Sequence, residues 1–142
     1  RMTMKSSERG ELMPPSPIRK LAPYADGAKA QGVEVLHLNI GQPDVPTPET
    51  FWDGIRGGQV PVLEYSPSAG LPALRKAMAE HYSSLGLRVD ASQVLVTTAG
   101  SEALSFAMQA CLDAEDEVIV PEPMYANYIG FARSTGVKVK PL

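Results

Sequence analysis

The first feature that could bind a ligand is a strand-like run followed directly by a turn and a helix. Val94–Val96 are typical of a short buried strand, Ala99-Gly100 of a turn, and residues 101–112 of an apolar helix. The free N–H groups and the dipole at a helix N-terminus attract anions, so Gly100 and Ser101 could hold a phosphate. The same pattern also suits an ordinary strand-to-helix turn with a serine cap. Spacing alone favours that plainer interpretation.

Three other positions offer groups that a bound molecule could use. Tyr125 follows the buried run Val118–Val120, and because ligands of open α/β sheets gather at the carboxyl ends of strands, its ring could stack on a planar ligand. Tyr65 precedes an irregular loop and could anchor that loop or offer its hydroxyl to a ligand. Gly41 lies in a turn and would let a ligand approach the main chain. The alternatives are core packing for Tyr125, which spacing alone favours, and an ordinary turn for Gly41.

The elements around these positions alternate between strand and helix. Helices are predicted over about 18–31, 71–85, 101–112 and 125–134. Strands are predicted over 33–40, 94–96, 118–120 and 137–142. This order indicates an α/β protein with parallel strands. Cys111 is expected in the core, and Trp52 is expected to pack in a loop or helix.

The composition argues against several classes of function. A net charge of −3 argues against binding of nucleic acid, which favours basic patches, and suggests no bulk attraction to an anionic membrane. No apolar run approaches the ~18 residues that a membrane-spanning helix needs. The single cysteine excludes an intramolecular disulfide and favours a reducing, cytoplasmic compartment. Two isolated histidines, His37 and His81, do not make a metal site, so no metal is expected.

Four stretches, in this order, resemble class I/II aminotransferases of the aspartate aminotransferase superfamily, which use pyridoxal 5'-phosphate. They are Gly-Gln-Pro-Asp at 41–44 with Thr47-Pro48, Tyr-Ser-Pro-Ser-Ala-Gly-Leu at 65–71 with Leu74-Arg75, residues 94–104, and residues 116–125. The resemblance runs from about Ser16 to Leu142. It implies the N-terminal part of a fold-type-I enzyme, with a mostly parallel large-domain sheet and helices on both faces. The implied segments are an arm at 1–17, the start of a small domain at 18–48, and an incomplete large domain at 49–142.

The resemblance also implies a role for each candidate residue. Gly100 and Ser101 would cradle the phosphate of the cofactor, and Tyr125 would stack on its pyridine ring. Gly41 would contact the substrate carboxylate through its backbone. Tyr65 would reach across a homodimer interface to the phosphate in the partner's site. The implied reaction passes an amino group between an amino acid and a 2-oxo acid.

The family's catalytic lysine, which forms a Schiff base with the cofactor, has no counterpart in this sequence. None of the lysines present has the family's context for that residue: Lys5, Lys20, Lys29, Lys76, Lys138 and Lys140. No catalytic residue is therefore assigned, and the chain alone is expected to be inactive, as a truncation or fragment. The alternatives are a lyase or decarboxylase on the same scaffold, or a non-catalytic aminotransferase-like domain of a regulator. The chain alone is also not expected to be a self-sufficient folding unit.

Overall fold

A computed structural model describes residues 4–142, so the first three residues of the predicted arm lie outside the described part. The chain divides into two compact units. The first unit takes in the chain up to Gln42 and then Ala99–Leu142, and the second is Pro43–Thr98. No helix in the described residues is long and apolar enough to cross a membrane. The division into arm, small domain and large domain stays a prediction about the longer protein.

The first unit begins with the arm and the predicted 18–31 helix. The arm contains one short helix, α1 (Glu8–Glu11), which Ser7 caps by accepting a hydrogen bond from the N–H of Gly10. A 3-10 turn at Arg19–Leu21 then leads into α2 (Ala22–Ala30). Gly32 follows with a φ of 79°, a conformation that glycine adopts without steric cost. The prediction of a helix that ends at this glycine is therefore confirmed.

A parallel strand pair forms the centre of the first unit. After α5 (Gly100–Cys111) come β1 (Glu117–Val120), α6 (Asn127–Thr135) and β2 (Lys138–Pro141). The two strands are parallel, with Glu117 opposite Lys138 and Val120 opposite Pro141. Buried Met108, Ala132 and Val137 form the core between sheet and helices, and four half-buried side chains pack on it: Leu112, Val118, Phe131 and Val139. The predictions of these helices, these strands and their parallel order are confirmed.

Two expectations for this unit are wrong. Residues 33–40 do not form a strand, because no segment of the described chain offers them a hydrogen-bonding partner along an edge. Cys111 is exposed and not in the core. It lies at the last position of α5, on a side of the helix that none of the described elements covers.

The second unit contains two helices and a tethered loop. Helix α3 (Glu49–Gly57) was not predicted, and it carries Trp52 with the ring of Phe51 5.2 Å away in an edge-on arrangement. Helix α4 (Pro72–Ser84) has proline in its first turn and is followed by Gly86 at a φ of 89°, as predicted. Residues 94–96 do not form a strand. Val94 is buried, but Leu95 is exposed, and the one backbone hydrogen bond that the segment makes outside its own turn in the described chain, from the N–H of Val96 to the carbonyl of Ala69, does not extend into a strand ladder.

Arg75 ties α4 to the segment that leads towards residue 98. Its Nε donates to the carbonyl of Val94 at 2.8 Å, and its Nη2 donates to the carbonyl of Ala91 at 2.6 Å. A 3-10 turn (Ala91–Gln93) precedes Val94, and Asp90 caps it. Hydrogen bonds from the hydroxyl and the N–H of Ser92 hold the pKa of Asp90 below its usual value. The arginine in the Leu-Arg pair of the sequence motif therefore acts as a structural clamp within this unit.

The first prediction concerns the glycine of the 65–71 motif. An added Cβ at Gly70 would lie 2.4 Å from Cγ2 of Val96, whereas at Gly86 it would meet nothing within 4 Å. Both glycines have positive φ, so alanine at either position costs about 1 to 2 kcal/mol of backbone strain. We expect Gly70→Ala to lower the free energy of unfolding of the full-length protein by about 1 to 3 kcal/mol more than Gly86→Ala. Urea unfolding measures the difference, and equal losses would contradict the contact.

The second prediction concerns residues 1–142 in isolation. In the described part, five hydrophobic side chains are buried, and no large side chain is less than 2% exposed. A core this small does not offset the entropy of ordering the backbone. We expect the isolated chain to sediment as aggregates and to melt without a cooperative transition. A sharp melt from a soluble monomer would refute this expectation.

Candidate cofactor and substrate site

The N-terminus of α5 offers hydrogen-bond donors for an anion. Ala99 precedes the helix in an extended conformation, φ −164° and ψ 175°, and its methyl side chain cannot cap the helix. Among the described residues, nothing accepts a hydrogen bond from the N–H groups of Gly100 and Ser101. The side chain of Ser101 is exposed, so its hydroxyl is accessible beside these groups. Two N–H donors, a hydroxyl and the positive end of a twelve-residue helix together suit a phosphate group.

Gly100 keeps this helix end open. An added Cβ at this position would meet no heavy atom within 4 Å, so the space beside the backbone is unfilled. A ligand can therefore approach the N–H of Gly100 directly, and a side chain would occupy that space. Gly100 and Ser101, predicted from the sequence to cradle a phosphate, thus carry groups that a phosphate fits.

Tyr125 lies between β1 and α6, with its ring half-exposed. Its hydroxyl accepts a hydrogen bond from Nδ2 of Asn127 at 2.6 Å. Its ring and that of Tyr128 meet in a T-shaped arrangement, with ring centroids 5.6 Å apart and planes at 87°. With 46% of its surface exposed, Tyr125 is not a core residue among the described elements. Its two neighbours fix the ring and leave part of its surface accessible for stacking.

Gly41 and Tyr125 line one cavity of 810 Å³ in the first unit. The arm, the 3-10 turn and the start of α2 contribute Ser16, Ile18, Arg19 and Ala22 to its wall, and the remaining lining residues are Ile40 and Asn127. Gly100 and Ser101 belong to the same unit but are not among the residues that line this cavity. The structure therefore brings together the positions predicted to meet the ring and the substrate carboxylate.

Tyr65 lies in the second unit and is fully exposed. None of the described residues forms a hydrogen bond with its hydroxyl or stacks on its ring. The interpretation of Tyr65 as a loop anchor therefore has no contact to support it in this chain. Its role at a partner's site stays a prediction.

Sequence reasoning missed Asn127 and Arg19 as site residues. The motif that ends at Tyr125 does not include Asn127, so the resemblance did not single out this residue. The signal that could have found it is a polar side chain at the start of a helix. Arg19 was assigned only to a helix, and spacing gives no hint that it borders the turn containing Gly41. Both residues border the cavity only because the arm, the 3-10 turn and the segment around Gly41 fold into one unit with α6.

Comparison with known proteins defines the family. Residues 33–142 match the family model described as aminotransferase class I and II. The chain is 36% identical over 132 residues to the aspartate/prephenate aminotransferase of Thermus thermophilus, covering 92% of this chain and 34% of that protein. It is 34% identical over 133 residues to the LL-diaminopimelate aminotransferase of Desulforudis audaxviator, covering 91% of this chain and 34% of that protein. The chain belongs to the class I and II aminotransferases.

The fold comparison agrees with this assignment. The solved structure of Thermus thermophilus aspartate aminotransferase with maleate superimposes with a TM-score of 0.83 at 34% identity, covering 98% of this chain and 37% of that one. The described architecture is thus part of a fold-type-I enzyme. The chain spans about a third of the length of these relatives. The family and its aspartate aminotransferases depend on pyridoxal phosphate.

The third prediction separates stacking from hydrogen bonding at Tyr125. Tyr125→Ala in the full-length protein should weaken retention of pyridoxal phosphate about fivefold, because an aromatic contact contributes about 1 kcal/mol beyond its area. Tyr125→Phe keeps the ring and loses only the bond with Asn127, so its effect should be far smaller. Equilibrium dialysis measures both variants. Equal damage from the two substitutions would point to the hydroxyl and contradict stacking.

Proposed function

We propose that the protein containing this chain is an amino-acid aminotransferase that passes an amino group between an amino acid and a 2-oxo acid. The observation that carries the proposal is the open N-terminus of α5, whose N–H groups and Ser101 hydroxyl suit a phosphate. The family match over residues 33–142 supports the same chemistry. Pyridoxal phosphate, when bound, supplies an electron-withdrawing ring that stabilises negative charge on the substrate Cα.

Each site residue has a physical part in this proposal. Gly100 and Ser101 donate hydrogen bonds to the phosphate and so fix one end of the cofactor. Tyr125 covers one face of the pyridine ring and thereby limits access of water to it. Asn127 holds the hydroxyl of Tyr125 and so restrains the tilt of that ring. Gly41, which lines the same cavity as Tyr125, presents its backbone to the substrate carboxylate.

We propose a homodimer in which Tyr65 serves the partner's site. A fully exposed tyrosine with no hydrogen bond in the described chain has both its ring and its hydroxyl available to another subunit. The other proposed partners are the amino-acid and 2-oxo-acid substrates. The acidic net charge and the single cysteine support a cytoplasmic setting without nucleic acid or membrane partners.

The catalytic lysine is proposed to lie outside residues 1–142. A lysine that forms a Schiff base at neutral pH needs a lowered pKa, which desolvation or a neighbouring cation provides. Lys138 has the opposite setting, because its hydrogen bond to the carboxylate of Glu115, 2.6 Å away, raises its pKa. Lys140 likewise lies 3.4 Å from the carboxylate of Glu117. We therefore propose that this chain alone does not transaminate.

The fourth prediction tests the proposed function directly. The full-length protein mixed with pyridoxal phosphate should absorb in the visible region and, after borohydride reduction, carry the cofactor on one specific lysine. It should also convert an amino acid and a 2-oxo acid into the exchanged pair. Residues 1–142, with or without Lys138→Ala, should give no specific adduct by peptide mass spectrometry. A stable adduct on one lysine of residues 1–142 would contradict the proposal.

A further inference from the structure

One side chain connects the segment that contains Gly41 to the rest of the first unit by a hydrogen bond. Nδ2 of Asn39 donates to the carbonyl of Ile18 at 3.2 Å. Among the described residues, no other hydrogen bond joins residues 34–42 to another part of the chain. The segment forms neither a helix nor a strand, so it has no ladder of backbone hydrogen bonds to fix its course. The amide of Asn39 is therefore the polar anchor of this segment.

The acceptor of this hydrogen bond lies on a backbone that is itself fixed. The N–H of Arg19 donates to Oγ of Ser16 at 3.4 Å, and the N–H of Lys20 donates to the carbonyl of Ser16 at 3.1 Å. These two bonds enclose Ile18 at the start of the 3-10 turn that leads into α2. The carbonyl of Ile18 therefore offers Asn39 a fixed point of attachment.

The anchor lies beside the cavity that Gly41 and Tyr125 line. Ile18, which accepts the hydrogen bond, and Ile40, which follows its donor, line both that cavity and a neighbouring cavity of 410 Å³. Asn39 lines the neighbouring cavity and not the one that contains Gly41. The side chain of Asn39 can therefore act on a ligand beside Gly41 only through the backbone that it holds.

We propose that Asn39 is a positioning residue that holds the backbone at Gly41 in place for the carboxylate of a substrate. This inference rests on the proposed function, in which Gly41 contacts the α-carboxylate. A backbone that is already ordered loses little conformational freedom when a ligand binds, so the anchor lowers the entropic cost of binding. Because the anchor is present both before and during the reaction, its loss should raise KM and leave kcat nearly unchanged.

Removal of the amide from the full-length holoenzyme tests the inference. KM is measured for whichever of aspartate, alanine and LL-diaminopimelate is the fastest amino donor. Asn39→Ala should raise this KM about three- to tenfold, as expected for the loss of one neutral hydrogen bond, and change kcat by no more than about twofold. Asn39→Asp keeps the shape of the side chain but offers the carbonyl of Ile18 no donor, so its KM should rise at least as much. Asn39→Gln, which keeps a donor on a longer side chain, should have a KM between those of the native protein and Asn39→Asp.

Gln31→Ala is the matched control. It also removes one side-chain amide from the first unit, but Gln31 lines neither cavity, and its side chain makes no hydrogen bond to a described residue. We expect Gln31→Ala to leave KM unchanged. Cofactor content and thermal midpoint are measured for every variant, because a general loss of structure would lower both. If Asn39→Ala lowers either, Asn39→Asp and Asn39→Gln decide: a lower KM for the glutamine variant supports the anchor, and equal KM values contradict it.

A binding measurement separates this inference from the proposed function. Calorimetry with butyrate, which has one carboxylate and no amino group, needs no turnover. Asn39→Ala should weaken butyrate binding about three- to tenfold, and Gln31→Ala should leave it unchanged. If no transamination is found but butyrate binding depends on Asn39, the proposed function fails and the inference stands. If transamination occurs but Asn39→Ala changes neither KM nor butyrate binding, or lowers kcat as strongly as it raises KM, the inference is overturned.

Discussion

The parallel pairing of β1 with β2 is the constraint on which the described site depends. Parallel neighbours require a crossover, and here α6 supplies it between Val120 and Lys138. The turn after β1 leads into α6, which runs back to the start of β2, so α6 begins near the carboxyl end of β1. Tyr125 lies there because the turn after β1 leads directly to α6.

The arm and the residues up to Gly41 contribute the rest of the cavity wall. Arg133 of α6 donates to the carbonyl of Leu12 at 2.5 Å, and Arg9 donates to the carbonyl of Ser134 at 2.9 Å. Both acceptor carbonyls lie at the C-terminal end of a helix, Leu12 just after α1 and Ser134 in the last turn of α6. Carbonyls at such ends lack partners within the helix. These bonds hold the arm against α6, whose first residue, Asn127, contacts Tyr125. The cavity wall is therefore built from segments that are far apart in sequence and joined by polar contacts.

The sequence predicted local structure well where one segment carries its own signal. Apolar spacing with Pro72 before and Gly86 after predicted α4, and buried runs predicted β1 and β2. It failed at residues 33–40 and 94–96, because a strand needs a ladder of hydrogen bonds to a neighbour, and the only ladder in the described chain joins β1 and β2. The motif residues Gly41 and Tyr125 could be found from the resemblance. Arg19 and Asn127 could not, since their significance comes from contacts across the folded unit and not from spacing.

The central claim is that the N-terminus of α5 holds the phosphate of pyridoxal phosphate. Its most direct test compares the affinity of the full-length protein for pyridoxal phosphate and for pyridoxal, which lacks the phosphate, before and after Ser101→Ala. We expect the substitution to weaken binding of pyridoxal phosphate about tenfold, as expected for one hydrogen bond to a charged group, and to leave pyridoxal binding unchanged. An equal loss for both ligands, or no loss for either, would contradict it.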